Sequence, residues 1–311
     1  MKKDYYLSAD GKTKIAYFIF EDLSVKPKAV LQISHGMKEF MLRYKDFADY
    51  FNKYGIVVLG NDALGHGDTM TSKETAGYFA DKNGEKKVLK DLHTMSLIAK
   101  EKYPNLPIYM FGHSMGSFFA RYYASVYPGE LDGFIFCGTS SYVKGSRFGL
   151  FMMNLLKTFK GKHTHFTFID KIMTKKYFRY IPNPKYHFEW VTSNPDFAKQ
   201  NDWDGRYKID FTVGAYYDMV KTIIKINKKS WAKKLDKDTP IMLISGSQDP
   251  VGQYGQGVCE VYKKLENEKI NSIDLILYAK ARHEPFEEIR PIKDKFFSDL
   301  LYWLNMQIEN R

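Results

Sequence analysis

The sequence predicts an α/β fold: a mostly parallel eight-stranded sheet flanked by helices, with one long helical insertion ahead of the seventh strand. Three observations predict it. Short β-branched or aromatic runs alternate with longer segments whose apolar residues recur at spacings of three and four. The alternation breaks once, between Thr139 and Trp231. Three of the strand-like runs end in loops that carry Ser114, Asp249 and His283.

Strands are expected at residues 5–7, 14–20, 29–34, 57–61, 108–111, 133–137, 241–245 and 273–278. Helices are expected at 44–53, 85–102, 117–127, 258–265 and 292–307. From the third strand onward, strands and helices follow one another as crossover units, and crossovers make neighbouring strands parallel.

The fifth strand runs directly into Gly112-His-Ser114-Met-Gly116 and then into a helix. That context makes a common pattern specific. A serine at a sharp strand-to-helix turn projects its hydroxyl out of the sheet, and glycines two residues before and after it remove side chains that would clash. The turn also leaves the Met115 N–H at a helix N-terminus, suited to a developing oxyanion. His113, beside the serine, is expected to point away and pack.

A serine hydroxyl needs a base, and the base needs a partner that fixes its tautomer. The run 240–245 ends in Gly246-Ser-Gln-Asp249-Pro250, with a carboxylate just past a strand end. Only His283 follows it, in the loop after the run 272–278. The order serine, acid, histidine and the position at strand C-termini point to a nucleophile, acid and base at the open edge of a parallel sheet.

The wider pattern resembles the α/β-hydrolases of the monoacylglycerol lipase and lysophospholipase group, grouped with the serine aminopeptidase S33-like hydrolases. The segments that carry the resemblance are S-H-G-M-K-E-F-M-L-R-Y (34–44), N-D-A-L-G-H-G-D-T (61–69), F-G-H-S-M-G-S-F-F-A-R-Y-Y-A (111–124), S-G-S-Q-D-P-V-G (245–252) and A-R-H-E (281–284). The resemblance implies the α/β-hydrolase fold and a triad of Ser114, Asp249 and His283. It implies an oxyanion hole of the Met37 and Met115 N–H groups, with Gly36 letting the backbone approach the substrate. It also implies that the insertion is a cap over the site. Two positions depart from the family's usual pattern: Phe40 follows Glu39, and Leu64 stands where arginine is common.

The expected organisation is therefore a core of residues 1–139 and 235–311 with a cap at 140–234. Residues 141–234 carry 19 Lys and Arg against 7 Asp and Glu, net +12, while the rest of the chain is net −1. The whole basic excess of a chain of net charge +11 thus lies on the insertion, which suggests an anionic partner near the site. Within it Phe148, Phe151, Met152, Leu155 and Phe159 recur at helical spacing beside Lys157, Lys160 and Lys162. Such a face suits packing on the body, and equally an acyl-chain wall or a membrane-facing helix; Phe148, Met152, Leu155 and Gly36 are the candidate substrate contacts. Trp190, Phe211, Tyr216 and Tyr217 read as core rather than ligand wall.

Composition excludes several classes. Cys137 and Cys259 are the only cysteines, are far apart, and read as reduced thiols. The basic start has no apolar stretch behind it, so a cytoplasmic enzyme is expected, with peripheral contact at an anionic membrane face through the basic cap. His163-Thr-His165 lacks the further ligands a metal needs, and His283-Glu284 lacks a second histidine for a zinc motif. No metal or other cofactor and no nucleic-acid partner are expected. The function expected is a serine carboxylic-ester hydrolase acting on a lipid-like acyl ester, monoacylglycerol or lysophospholipid. The alternatives are a small-ester or thioester esterase, a proline-iminopeptidase-like peptidase, an acyltransferase, or a binding protein on the same fold.

Overall fold

The computed structural model describes residues 1–141, 145–165, 175–203 and 209–311. Its strands are β1 (Lys2–Leu7), β2 (Lys14–Phe20), β3 (Ala29–Ser34), β4 (Ile56–Asn61), β5 (Ile108–His113), β6 (Gly133–Cys137), β7 (Ile241–Gly246) and β8 (Ile273–Tyr278). They form one sheet in the order β1-β2-β4-β3-β5-β6-β7-β8. The β1–β2 and β2–β4 pairs are antiparallel and every pair from β4 to β8 is parallel.

Strands β3 to β7 are buried along their whole length, as expected for a sheet covered on both faces. The period-two alternation is visible in β2: Ile15, Tyr17 and Ile19 enter one apolar cluster, while Ala16, Phe18 and Phe20 enter the other. Helices α1 (Lys45–Asn52) and α8 (Arg290–Glu309) cover the second face through Phe47, Phe51, Phe296, Leu300 and Trp303. Helices α2 (Gly84–Lys102), α3 (Met115–Val126) and α7 (Gln256–Asn267) cover the first through Leu92, Phe119 and Val261.

The described part of the long connection from β6 to β7 is mainly helical. It holds α4 (Ser146–Lys160), α5 (Pro195–Trp203), α6 (Val213–Ile226) and a short 3-10 turn at His187–Trp190. Its two stems are fastened by one buried cation. Arg121 of α3 donates to Ser140 O at 2.7 Å and Ile226 O at 2.9 Å, and its guanidinium lies 4.3 Å from the Trp231 ring. Among the described residues no carboxylate pairs with it, and burial pulls it down to about 9. The charge is met by carbonyl dipoles and an aromatic face instead.

Helix α4 buries no residue: Phe148 is 69% exposed, Phe151 58% and Phe159 83%. The apolar stripe that would have suited packing on the body therefore faces solvent.

Candidate active site

Parallel register aligns the strand ends that carry the site. Ser34 pairs with Gly112, His113 with Cys137, and Gly246 with Tyr278. The loops that follow begin at one edge of the sheet.

At the end of β5 the chain turns into α3 through Ser114, whose backbone sits at φ 52° and ψ −120°. For a non-glycine residue this is a strained conformation. Contacts on both sides impose it. A Cβ on Gly112 would fall 2.6 Å from Gly116 O and 2.7 Å from the Ala120 side chain. A Cβ on Gly116 would fall 1.8 Å from Ser34 O and 2.6 Å from His35 O. The start of α3 therefore rests on the backbone that leaves β3, which brings Met115 and the turn at Gly36-Met37 to one place. The Met37 and Met115 N–H groups take no part in the main-chain hydrogen bonding of the described residues.

Asp249 is fully buried. Its Oδ1 lies 2.9 Å from His283 Nδ1 and accepts the Val251 N–H at 2.8 Å, and its Oδ2 accepts the Ser245 hydroxyl at 3.1 Å. Burial pushes the carboxyl up, but His283 and the backbone donors outweigh it and hold the group below the usual carboxylate range. Nδ1 faces the carboxylate and is therefore the donor, so that in the neutral imidazole Nε2 carries the lone pair. Nε2 is buried and has no hydrogen-bond partner among the described residues, the Ser114 hydroxyl included.

Ser114 and His283 nonetheless share one neighbour. The Ser114 N–H donates to Cys137 O at 2.9 Å, and a Cβ on the adjacent Gly138 would lie 2.9 Å from His283 Cε1. The structure thus joins acid and base directly and sets the serine against the same turn.

Beneath this edge lies a buried charge cluster that the reading of the sequence did not pick out. Glu39 Oε1 is 2.7 Å from His113 Nδ1, and its Oε2 accepts the Tyr44 hydroxyl at 2.6 Å. Arg43 lies 3.1 Å from Glu39 and forms a two-pronged pair with Glu284 at 3.0 and 2.6 Å. Glu39, His113 and Glu284 could by themselves converge on a cation, but the Arg43 guanidinium supplies it. Burial pushes the Glu39 carboxyl up, while His113 and Arg43 pull it further the other way, well below the usual range. His113, lowered by burial, is raised on balance by Glu39. His113 thus packs, as its position suggested, hydrogen-bonded to Glu39 and with its ring 4.8 Å from the His283 ring. Glu39 and Arg43 stand at the i, i+4 spacing of an ion pair, a signal the 34–44 segment carried.

The remaining candidates are dispersed. Gly36 is packed against Glu39, where a Cβ would meet Oε1 at 2.2 Å. Phe148 and Met152 are exposed and Leu155 is half-buried on α4. Phe211 and Tyr216 are core, whereas Trp190 is not: half-exposed, it stacks on His283 with ring centroids 5.1 Å apart. His163 stacks on Tyr78 at 3.9 Å and His165 Nδ1 bonds to Asp210 O at 2.8 Å.

The sheet order and the strand-to-helix turn at Ser114 are those of the α/β-hydrolase fold. Residues 25–290 match the family Serine aminopeptidase, S33, and the chain belongs to it. It is 27% identical over 137 residues to a monoacylglycerol lipase of Mycolicibacterium smegmatis, covering 44% of this chain and 46% of that one. It is 29% identical over 116 residues to the human monoglyceride lipase, covering 35% and 34%. These matches span less than half the length of either relative. A carboxyl esterase from Bacillus coagulans, solved with glycerol, superposes with TM-score 0.90 at 32% identity, covering 99% of this chain and 98% of that one. A soluble variant of the Saccharomyces cerevisiae monoglyceride lipase shares the fold, with TM-score 0.77 at 18% identity over 98% and 95% of the two chains.

Two glycines give opposite predictions. Gly116→Ala must push α3 off the β3 loop and is expected to lower unfolding stability by about 3 kcal/mol. Gly149→Ala, in α4 with nothing within 4 Å of the new methyl, is expected to raise it by about 0.5 kcal/mol. Urea unfolding midpoints of the two variants check both signs.

Proposed function

We propose that this chain is a serine carboxylic-ester hydrolase that cleaves a lipid-like acyl ester, monoacylglycerol or lysophospholipid, through an acyl-enzyme. The observation that carries this reading is the buried Asp249–His283 hydrogen bond beside a serine held in a strained turn at the same sheet edge.

In the proposed mechanism the Ser114 hydroxyl rotates to His283 Nε2, which takes its proton as the oxygen attacks the acyl carbonyl. Asp249 keeps Nδ1 protonated and stabilises the imidazolium. The Met37 and Met115 N–H groups receive the oxyanion, the latter helped by the α3 N-terminus. The imidazolium then protonates the departing alcohol. Water, deprotonated by His283, attacks the acyl-enzyme and releases the fatty acid. No step needs a cofactor.

The relatives named monoacylglycerol or monoglyceride lipase, and the esterase solved with glycerol, support a glycerol-type ester as the substrate class. The connection between β6 and β7 acts as the cap in this reading. Among the described residues no helix is long and apolar enough to cross a membrane. Contact with lipid would run through α4, which presents Phe148, Phe151 and Phe159 beside the exposed Arg147 and Lys160. Lys157 and Lys162 belong less to that surface: Lys157 lies 3.7 Å from the Tyr217 ring and Lys162 pairs with Asp81 at 2.6 Å.

Asp249→Asn is expected to fold and to lose roughly 10⁴-fold in kcat, because the imidazole is held in the wrong tautomer. His283→Ala is expected to be at least as damaging. Hydrolysis of a chromogenic ester, followed by a panel of monoacylglycerols and lysophospholipids of varied chain length, measures both the mechanism and the substrate class. Full turnover in Asp249→Asn would rule the mechanism out.

Membrane contact is tested separately. Vesicles containing anionic lipid are expected to bind the protein, less so at 1 M salt, where the Debye length is only about 3 Å. Arg147→Glu with Lys160→Glu is expected to weaken sedimentation with those vesicles while hydrolysis of a soluble ester persists. Equal binding to neutral and anionic vesicles would remove the electrostatic part of the contact.

A further inference from the structure

Segment 187–194, within the long connection, is fastened to the loop that carries His283. The Glu284 N–H donates to Val191 O at 2.8 Å, and Arg282 donates from its guanidinium to Thr192 O at 3.0 Å and to Glu189 O. The Thr192 hydroxyl donates to Glu287 O at 2.8 Å, and the Ser193 N–H to Glu288 Oε2 at 3.0 Å. Glu288 reaches back through Oε1 to the Arg282 N–H at 2.7 Å. One main-chain bond and several side-chain bonds thus tie residues 189 and 191–193, on either side of Trp190, to the 282–288 loop. The Trp190 side chain therefore has little freedom to leave.

What that side chain touches is the imidazole. The Trp190 and His283 rings lie 5.1 Å apart with planes inclined by 29°, and Trp190 stacks in turn on Tyr177 at 4.4 Å and 28°. His283 is 2% exposed. An indole face is electron-rich, and it attracts a cation more than a neutral ring, most strongly where water is excluded. His283 becomes a cation when it takes the serine proton, and only then.

We infer that Trp190 is a positioning residue that holds the His283 ring in plane and stabilises its imidazolium by a face-on cation–π contact during acyl transfer. The inference rests on the reading of His283 as the base, and it adds a residue from the long connection to the machinery of the core. The charged and titratable groups around the ring are Asp249 at Nδ1, His113 at 4.8 Å, and Glu284 with its Arg43 and Glu39 partners. Asp249 and Glu284 already favour a cation, and His113 in its charged form opposes one. The indole adds a neutral contribution on the side of the cation without introducing a further charge.

The preference for the cation makes the kinetic signature specific. A group that acts in the transition state lowers kcat and leaves KM alone when removed. Trp190→Leu is expected to lower kcat on a small soluble ester about tenfold, between the sizes of an exposed and a fully desolvated cation–π contact, with KM within about twofold. The acidic limb of its kcat/KM profile is expected to move to lower pH, since the imidazolium has lost its support. Trp190→Phe, which keeps an aromatic face, is expected to recover most of kcat. Trp190 emission, taken as the difference between the wild-type protein and Trp190→Phe, is expected to fall as pH drops, because a protonated imidazole in contact quenches indole. His283→Gln is expected to abolish that pH dependence.

Equal losses in Trp190→Phe and Trp190→Leu with an unmoved profile would reduce the stack to packing and overturn the inference. So would full activity in Trp190→Leu alongside an inactive His283→Gln, which leaves the base reading standing. An active His283→Gln would remove the base reading itself, and the inference with it. Should Trp190→Leu fail to fold, fluorinated tryptophans at position 190 keep the shape and weaken the face; a kcat that does not fall with fluorination would overturn the inference equally.

Discussion

Everything at the site depends on one close approach, the backbone of Gly116 against the carbonyls that leave β3. With a hydrogen in place of a side chain, α3 starts close to Ser34 O and His35 O. That contact seats the start of α3 on the backbone leaving β3, next to Ser114 with its φ of 52°. The strain, of order 1–3 kcal/mol for one residue, is held by the fully buried strands on either side. Parallel register then delivers the loops with Asp249 and His283 to the same edge.

A second constraint supports the histidine loop from below. Arg43, from the 3-10 turn after β3, is buried between Glu39 and Glu284, and Glu284 is the residue after His283. Removing one partner of such a buried group strands charge without water and costs about 3–5 kcal/mol. The cluster thereby couples the β3 loop, the β5 end through His113 and the His283 loop into one rigid floor. Above it, segment 187–194 closes on the same loop with one backbone hydrogen bond, several side-chain bonds and the Trp190 ring. The His283 imidazole is therefore fixed from the core and from the long connection alike.

The sequence disclosed the fold wherever the signal was local. All eight strands and the five helices of the core lie where periodicity and turn residues put them, with ends shifted by a few residues at most. The positions of Ser114, Asp249 and His283 were legible because each follows a strand end, and the structure joins two of them by a hydrogen bond. What sequence did not carry was long-range pairing. Arg43 meets Glu284 across 241 residues, and no spacing rule reaches that far. Trp190 looked like core because an aromatic in a helical stretch usually is, but a loop-to-loop hydrogen-bond set decided its place. The α4 stripe had the right period for packing, and period alone does not say whether a face meets protein or solvent.

Labelling the intact protein with a fluorophosphonate and mapping the adduct by mass spectrometry asks whether Ser114, in its strained turn, is the nucleophile. One phosphonylated residue is predicted, Ser114, with label and ester hydrolysis lost together in Ser114→Ala. An adduct on another serine, or ester turnover persisting in Ser114→Ala, would contradict the account.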